Sequence, residues 1–133
     1  MDEAMAHYWN HDYAKAHNLL KGMADRGNIE AAYRLANMYE FGEGVEQDYG
    51  TAHYYYKVAA NGGDIVSMYI VAMHFFKGRG AEGNMEKSIY WLKRAARKGN
   101  RKAAYTLGYF YEKGIGVKES RYWGNYWYKK AKE

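Results

Sequence analysis

The feature that most constrains the fold is a repeat with a period of 36 residues, visible when the chain is shifted against itself. The shift superimposes three glycine pairs: Gly42 and Gly44, Gly78 and Gly80, Gly114 and Gly116. It also aligns four further columns: Tyr33, Tyr69 and Tyr105; Tyr54, Tyr90 and Tyr126; Lys57, Lys93 and Lys129; Ala59, Ala95 and Ala131. Self-similarity at such a period is the signature of a repeat architecture. The repeat also explains why 133 residues contain 16 tyrosines.

Each repeat is predicted to contain two helices joined by a short loop. Apolar residues at helical spacing predict a first helix at about 30–41, 66–77 and 102–113. The first glycine of each pair follows directly, where a helix commonly ends in a left-handed residue. A second helix is predicted to begin near the N-cap residues Asp48, Asn84 and Ser120 and to end near Gly63 or Gly99. The sequence contains no alternating pattern typical of strands.

A unit of two helices cannot bury its own apolar face, so the units are expected to stack. The predicted fold is all-α, a right-handed α-solenoid of helix-turn-helix repeats. We expect a single domain over residues 1–133. It would comprise a short N-terminal unit at about 1–29 and repeats at about 30–65, 66–101 and 102–133.

The first full copy carries a set of spaced residues: Ala32, Leu35, Tyr39, Gly42-Glu43-Gly44-Val45, Asp48, Ala52, Tyr55-Tyr56, Ala59-Ala60 and Gly63. The third copy matches it with Leu107, Gly108, Tyr111, Trp127 and Tyr128, whereas Ala81, Gly83, Asn84 and Gly124 depart from it. This pattern resembles the Sel1-like repeat, a family related to tetratricopeptide repeats and found mostly in bacterial proteins. The resemblance covers almost the whole chain. It implies a helical solenoid that serves as an adaptor or binding scaffold, with the first helix of each repeat lining a concave side.

The outward positions of those first helices are the candidate partner-binding surface. In the middle copy they are unusually apolar, and a clustered apolar patch on a protein surface commonly marks a binding site. The predicted groove residues are Tyr69, Ile70, Met73, Phe76, Tyr105, Tyr109, Lys113, Asn37 and Arg34. An alternative is that the helix phase is shifted by one residue, in which case these side chains pack between repeats.

Charge is distributed unevenly along the chain. Residues 1–66 hold five basic and ten acidic side chains, whereas residues 67–133 hold fifteen basic and five acidic ones. The densest basic cluster consists of Lys93, Arg94, Arg97, Lys98, Arg101 and Lys102. Such cations can simply stabilise the C-terminal end of a helix. They can also bind an acidic protein, a nucleic acid or a membrane surface. No nucleic-acid-binding motif accompanies the cluster, so a nucleic acid is the less favoured partner.

The sequence offers little for catalysis. It lacks cysteine, its serines are not flanked by the glycines of a nucleophile elbow, and residues 78–83 match a dinucleotide motif only in spacing, because a helix precedes them. His7 and His11 share one helical face but lack further ligands, so no metal site is expected. His74 lies among apolar residues and is predicted to be packed in the core. We therefore expect neither enzymatic activity nor a cofactor.

These observations predict a non-catalytic scaffold for protein–protein interactions, binding a protein or peptide in the concave groove as a monomer. One alternative is an immunity or inhibitor protein that neutralises a bacterial toxin or effector. A second is an anion or nucleic-acid binder that uses the basic cluster. The chain has no run of about 18 apolar residues that would form a transmembrane segment. A cytoplasmic location is expected, or a periplasmic one if a signal peptide has been removed.

Overall fold

Eight α-helices cover the described part of the chain, residues 2–133, in the computed structural model, and no strand is found there. The helices are α1 (Asp2–Trp9), α2 (Tyr13–Asp25), α3 (Ile29–Phe41), α4 (Tyr49–Asn61), α5 (Ile65–Lys77), α6 (Met85–Arg97), α7 (Arg101–Lys113) and α8 (Arg121–Ala131). Each helix packs against the next one in the chain. The prediction of an all-α helical repeat solenoid is thus confirmed.

Polar side chains begin both helices of every full repeat. Asp48, Asn84 and Ser120 accept hydrogen bonds from backbone N–H groups three residues later, as predicted for the second helices. The first helices are capped in the same way by Asn28, Asp64 and Asn100. Because these caps precede residues 29, 65 and 101, the first helices begin one residue earlier than the sequence predicts.

The two glycines of each pair have different roles in the fold. Gly78 closes α5 in the left-handed conformation, with a φ of 68°. Gly80 also has a positive φ, of 74°, and a Cβ atom there would lie 2.2 Å from the carbonyl oxygen of Tyr49. Tyr49 begins the second helix of the preceding repeat. The second glycine therefore allows the loop of one repeat to pack directly against its neighbour.

Small and aliphatic residues fill the core at the predicted positions. Leu35, Val71 and Leu107 are fully buried, and the small residues Ala36, Ala72 and Ala52 are buried beside them. One buried column was predicted only at its middle residue, and it consists of Met38, His74 and Phe110. His74 itself is buried, as expected from its apolar neighbours.

The tyrosine column at 54, 90 and 126 has a structural explanation. Each of these rings is exposed, and each meets the ring of the following aromatic residue edge-on, at centroid distances of 5.0, 5.4 and 5.0 Å. The following residues are Tyr55, Trp91 and Trp127, and both tryptophans are buried. The recurring tyrosines thus cover the inner aromatic residues of the second helices.

No helix among residues 2–133 combines the length and the apolar composition that crossing a lipid bilayer requires.

Candidate protein-binding surface

Helices α5 and α7 present most of the predicted groove residues. Phe76, Tyr105 and Tyr109 are exposed by 38%, 61% and 44%, respectively. Lys113 is also exposed, whereas Tyr69, Ile70 and Met73 are half-buried. Phe76 contacts the buried ring of Phe110 on α7 at a centroid distance of 5.1 Å. Aromatic and apolar side chains from two neighbouring repeats therefore reach one surface.

The two predicted groove residues on α3 have partners within the protein. Asn37 accepts a hydrogen bond from the hydroxyl group of Tyr56. The guanidinium of Arg34 lies over the ring of Tyr33 and 3.9 Å from the carboxylate of Glu30. Both side chains are half-buried. The α3 end of the predicted groove thus offers fewer free groups than α5 and α7.

An open cavity of about 850 Å³ lies at the C-terminal end of the array. We call it the C-terminal cavity, and it is lined by Tyr69, Arg101, Lys102, Tyr105, Thr106, Asn125, Tyr128, Lys129, Ala131 and Lys132. It brings together residues that the sequence analysis placed in two separate sites. Tyr69 and Tyr105 belong to the predicted groove, whereas Arg101 and Lys102 belong to the predicted basic cluster.

The C-terminal cavity combines ring surfaces with positive charge. The rings of Tyr105 and Tyr128 lie 5.3 Å apart, and the Tyr128 hydroxyl donates a hydrogen bond of 2.8 Å to Glu112. Burial, together with this hydrogen bond, raises the pKa of Tyr128 to about 12, so the phenol stays protonated. Four of the lining residues are cationic and none is a carboxylate. The cavity is therefore suited to an anionic ligand with an apolar part.

The remaining residues of the basic cluster lie on other surfaces. Lys93 lies over the ring of Tyr111, and the guanidinium of Arg94 stacks 4.7 Å from the ring centroid of Trp91. Arg97 lines a smaller pocket together with Lys130, and Lys98 is exposed after the end of α6. The cluster, which is continuous in sequence, is divided among several surfaces because successive residues of a helix point in different directions.

Tyr128, Lys129 and Lys132 were not predicted as site residues. The sequence did contain a signal for one of them. Lys132 is equivalent to Ala60 and Ala96 of the preceding repeats, and both of those side chains are buried. The exchange of an apolar residue for a polar one at a buried column could have located this surface.

An aromatic cluster on α8 was also not predicted. Tyr122 and Trp123 are exposed, their rings meet edge-on at 5.0 Å, and Trp123 also contacts the ring of Tyr126. Unlike Tyr126, neither Tyr122 nor Trp123 has an aromatic equivalent in the other repeats. This cluster is on a second helix and is separate from the groove residues of α5 and α7.

A buried polar group joins the first two full repeats. The Nδ1 atoms of His53 and His74 are 3.1 Å apart, and His74 Nε2 is 3.2 Å from a carboxylate oxygen of Glu40. Burial lowers the pKa of both histidines to about 4, helped at His53 by the facing His74 and at His74 by Arg79 and Lys77. Burial also raises the pKa of Glu40. At neutral pH the two imidazoles are therefore uncharged and can share one hydrogen between them.

Within residues 2–133, no group of three or more histidine, aspartate or glutamate side chains is arranged to bind a metal ion. His7 lies 3.6 Å from Asp12, while His11 forms a hydrogen bond of 2.8 Å with Tyr13. The two histidines thus interact with different partners near the end of α1.

Comparisons with known proteins agree with this geometry. Residues 29–64, 65–100 and 101–133 each match the Sel1 repeat family. The structure is similar to a Sel1 repeat protein from Oxalobacter formigenes, with a TM-score of 0.86 and 27% sequence identity over 98% of this chain. A search of curated proteins gave no match.

Two further solved structures are similar. A protective antigen of uropathogenic Escherichia coli strains, which displays an SLR fold, gives a TM-score of 0.83 and 30% identity over 89% of this chain. The cysteine-rich protein B of Helicobacter pylori shares the fold, with a TM-score of 0.68 and 23% identity over 71% of each chain. The present chain spans 54% of the Oxalobacter protein and 25% of the E. coli antigen.

Sel1 repeat proteins are generally non-catalytic scaffolds for protein interactions. The three matched segments begin at the first residue of α3, α5 and α7, so each family match corresponds to one observed pair of helices. This chain belongs to the Sel1 repeat family.

Proposed function

We propose that this protein is a non-catalytic scaffold that binds a protein or peptide partner along the concave face of its first helices, mainly α5 and α7. The observation that carries this proposal is the exposure of apolar side chains that do not recur in the repeat. Phe76 is equivalent to Glu40 and Glu112, and Tyr109 is equivalent to Asn37 and Met73. Neither ring is therefore required by the repeat fold.

The recurring tyrosines differ from these two groove residues. Tyr54, Tyr90 and Tyr126 are exposed in every full repeat and cover an inner aromatic residue. Covering that inner ring explains why a tyrosine recurs at this exposed position. Tyr109 has no such role, and Phe76 keeps 38% of its surface exposed although it also contacts Phe110. Exposed apolar surface of this kind favours a binding site, because interfaces concentrate their binding energy in a few aromatic or apolar anchors.

The proposal can be tested with substitutions taken from the repeat itself. Phe76→Glu and Tyr109→Asn each introduce a residue found at the equivalent position of another repeat, so both variants should fold. We expect each to weaken capture of the native protein partner by about 10-fold or more, since an interface anchor is lost. Affinity capture from native lysate, followed by a titration of the captured protein, measures this effect.

Two controls accompany this test. Tyr54→Ala removes an exposed ring outside the groove and should leave capture unchanged. Leu107→Ala removes a fully buried side chain and should lower the free energy of unfolding by about 2–5 kcal/mol. Unchanged capture by both groove variants would refute the proposed surface. The identity of the captured protein distinguishes an adaptor from an immunity protein, because the latter should bind a toxin or effector.

A further inference from the structure

We propose that a pocket between the first two full repeats binds a tetrahedral oxyanion, a phosphate or sulfate group, to which the imidazole of His53 donates a hydrogen bond. We call it the His53 pocket. It has a volume of about 390 Å³ and is lined by His53, Lys57, Phe75, Ala81, Glu82, Gly83, Asn84 and Lys87. None of these residues belongs to the predicted groove, so this inference goes beyond the proposed function and does not depend on it.

His53 has a polar atom without a partner in the protein. The residue keeps only 8% of its surface exposed, and its Nδ1 atom lies 3.1 Å from Nδ1 of His74. Its other ring nitrogen, Nε2, forms no hydrogen bond with the described residues 2–133, and the side chain lines the pocket. Polar atoms of buried side chains are rarely left without a hydrogen bond. Nε2 is therefore available to a ligand in the pocket.

The preceding repeat shows which group would complete this site. His17 is equivalent to His53, and Tyr39 is equivalent to Phe75. Nε2 of His17 lies 2.8 Å from the hydroxyl oxygen of Tyr39. The histidine and the aromatic ring meet edge-on in both repeats, at centroid distances of 5.7 Å in the first and 4.9 Å in the second. Because phenylalanine has no hydroxyl group, a ligand oxygen can take that place beside His53.

The third repeat shows that the fold does not require a histidine at this position. Ile89 is equivalent to His53, and its side chain is also buried. An aliphatic residue therefore packs well where His53 lies. A buried polar side chain at such a position carries a desolvation cost that a bound ligand would offset.

The charge around the His53 pocket favours an anion. After burial and the facing histidine, the charges of Lys57 and Lys87 lower the pKa of His53, so both ammonium groups lie within electrostatic range of the ring. Nζ of Lys87 lies 5.5 Å from the ring centroid of Phe75. The pocket is also at the N-terminal end of α6, where the helix dipole favours negative charge.

These donors match a tetrahedral oxyanion. When Nδ1 of His53 accepts the hydrogen of His74, the single hydrogen of the uncharged His53 ring is on Nε2. Lys57 and Lys87 add two ammonium donors on flexible stems. Three donors around one pocket suit the oxygens of phosphate or sulfate better than the two oxygens of a carboxylate. Glu82, an exposed loop residue, is the one carboxylate in the lining and opposes the anion.

The experiment is a titration of the full chain with sodium sulfate, followed by nuclear magnetic resonance at neutral pH and constant ionic strength. Sulfate is the probe because its charge does not change near neutral pH. We expect saturable shifts of the His53 imidazole signals and of the backbone amides of residues 81–87, with Nε2 protonated in the bound state. Sodium chloride at the same ionic strength should not produce them.

Substitutions test the position of the site. Phe75→Tyr introduces the residue that both other full repeats carry there, so the variant should fold, and its hydroxyl should occupy the oxygen position and weaken sulfate binding by at least about 10-fold. Lys87→Gln should weaken binding by about 3-fold or more, and Glu82→Gln should tighten it by about 2-fold. The control Lys118→Gln changes an exposed residue outside the pocket and should alter binding by less than about 2-fold.

Two further probes distinguish the sources of the group. Tighter binding of a short phosphoserine peptide than of inorganic phosphate supports a phosphorylated side chain of a partner as the ligand. Tighter binding of inorganic phosphate supports a free ion. Both results support the oxyanion site.

Three results would overturn the inference. Sulfate could shift the His53 signals no more than chloride does, which would show that water alone pairs with Nε2. Phe75→Tyr could bind sulfate as tightly as the unmodified chain, or Lys118→Gln could lose as much affinity as Lys87→Gln. Circular dichroism checks that each variant keeps its helices. If Phe75→Tyr does not fold, the double variant His53→Ile and His74→Met removes the donor and should abolish saturable sulfate binding.

Discussion

Replacing Gly80 by alanine should lower the free energy of unfolding by about 3 kcal/mol or more. The positive φ of Gly80 disfavours any side chain, which alone costs about 1–2 kcal/mol. The added methyl group would also lie 2.2 Å from the Tyr49 carbonyl oxygen and 3.1 Å from the His53 Cβ atom. Because the nearer obstacle is backbone, the two repeats would have to separate, and such overpacking adds about 1–3 kcal/mol.

A matched substitution isolates the contact between repeats. Gly99 also has a positive φ, of 100°, but an added Cβ atom would meet no other atom within 4 Å. Gly99→Ala should therefore show only the conformational cost. Urea unfolding of both variants measures the difference. Equal losses for Gly80→Ala and Gly99→Ala would show that the loop contact between repeats contributes nothing to stability.

Acidification from pH 7 to pH 4 should destabilise the protein by about 3 kcal/mol or more through His53 and His74. Their pKa values are lowered to about 4 in the folded state, from the ordinary value of 6.5. Their contribution to stability is therefore complete above pH 6.5 and declines as the pH falls towards 4, because the unfolded chain takes up protons first. Thermal unfolding across this range measures the effect.

Burial sets the sign of this response, and the cations around the pair reinforce it. Lys57 and Lys87 face His53, while Lys77 and Arg79 face His74, and all four disfavour the charged imidazoles. Glu40 acts in the opposite direction, since its raised pKa favours the folded state in acid and offsets part of the loss.

Residues at the equivalent positions of other repeats provide control substitutions for the histidine pair. Ile89 is equivalent to His53, and Met38 is equivalent to His74. The double variant His53→Ile and His74→Met should therefore fold, and it should lose at most about half as much stability on acidification. An acid response as large as that of the unmodified protein would mean that the histidines are not its source.

Apolar periodicity, the glycines and the N-cap residues together predicted the helices of the three full repeats, because these features recur in each copy. The ends of α3, α5 and α7 were predicted correctly from Gly42, Gly78 and Gly114, which adopt the left-handed conformation. The packing role of Gly80 was not predicted. Its positive φ follows from the turn, but its contact with Tyr49 joins residues 31 positions apart, and no local pattern reveals such a contact.

The candidate surface was predicted less completely than the fold. Phe76 and Tyr109 could be identified because helical spacing alone indicates which residues of α5 and α7 point outward. The C-terminal cavity could not, because its lining residues come from α5, α7 and α8 and are far apart in sequence. Sequence proximity was also misleading for the basic cluster, since Arg94 and Lys102 are near in sequence yet lie on different surfaces.

The central claim, that a protein partner binds the first-helix face, is tested most directly by site-specific crosslinking. A photoreactive phenylalanine analogue would replace Tyr109 on α7 or, as a matched exposed tyrosine on α4, Tyr54. The account predicts that illumination in native lysate yields a discrete crosslinked protein from position 109 and none from position 54. A crosslink to that partner from position 54 but not from position 109 would contradict it.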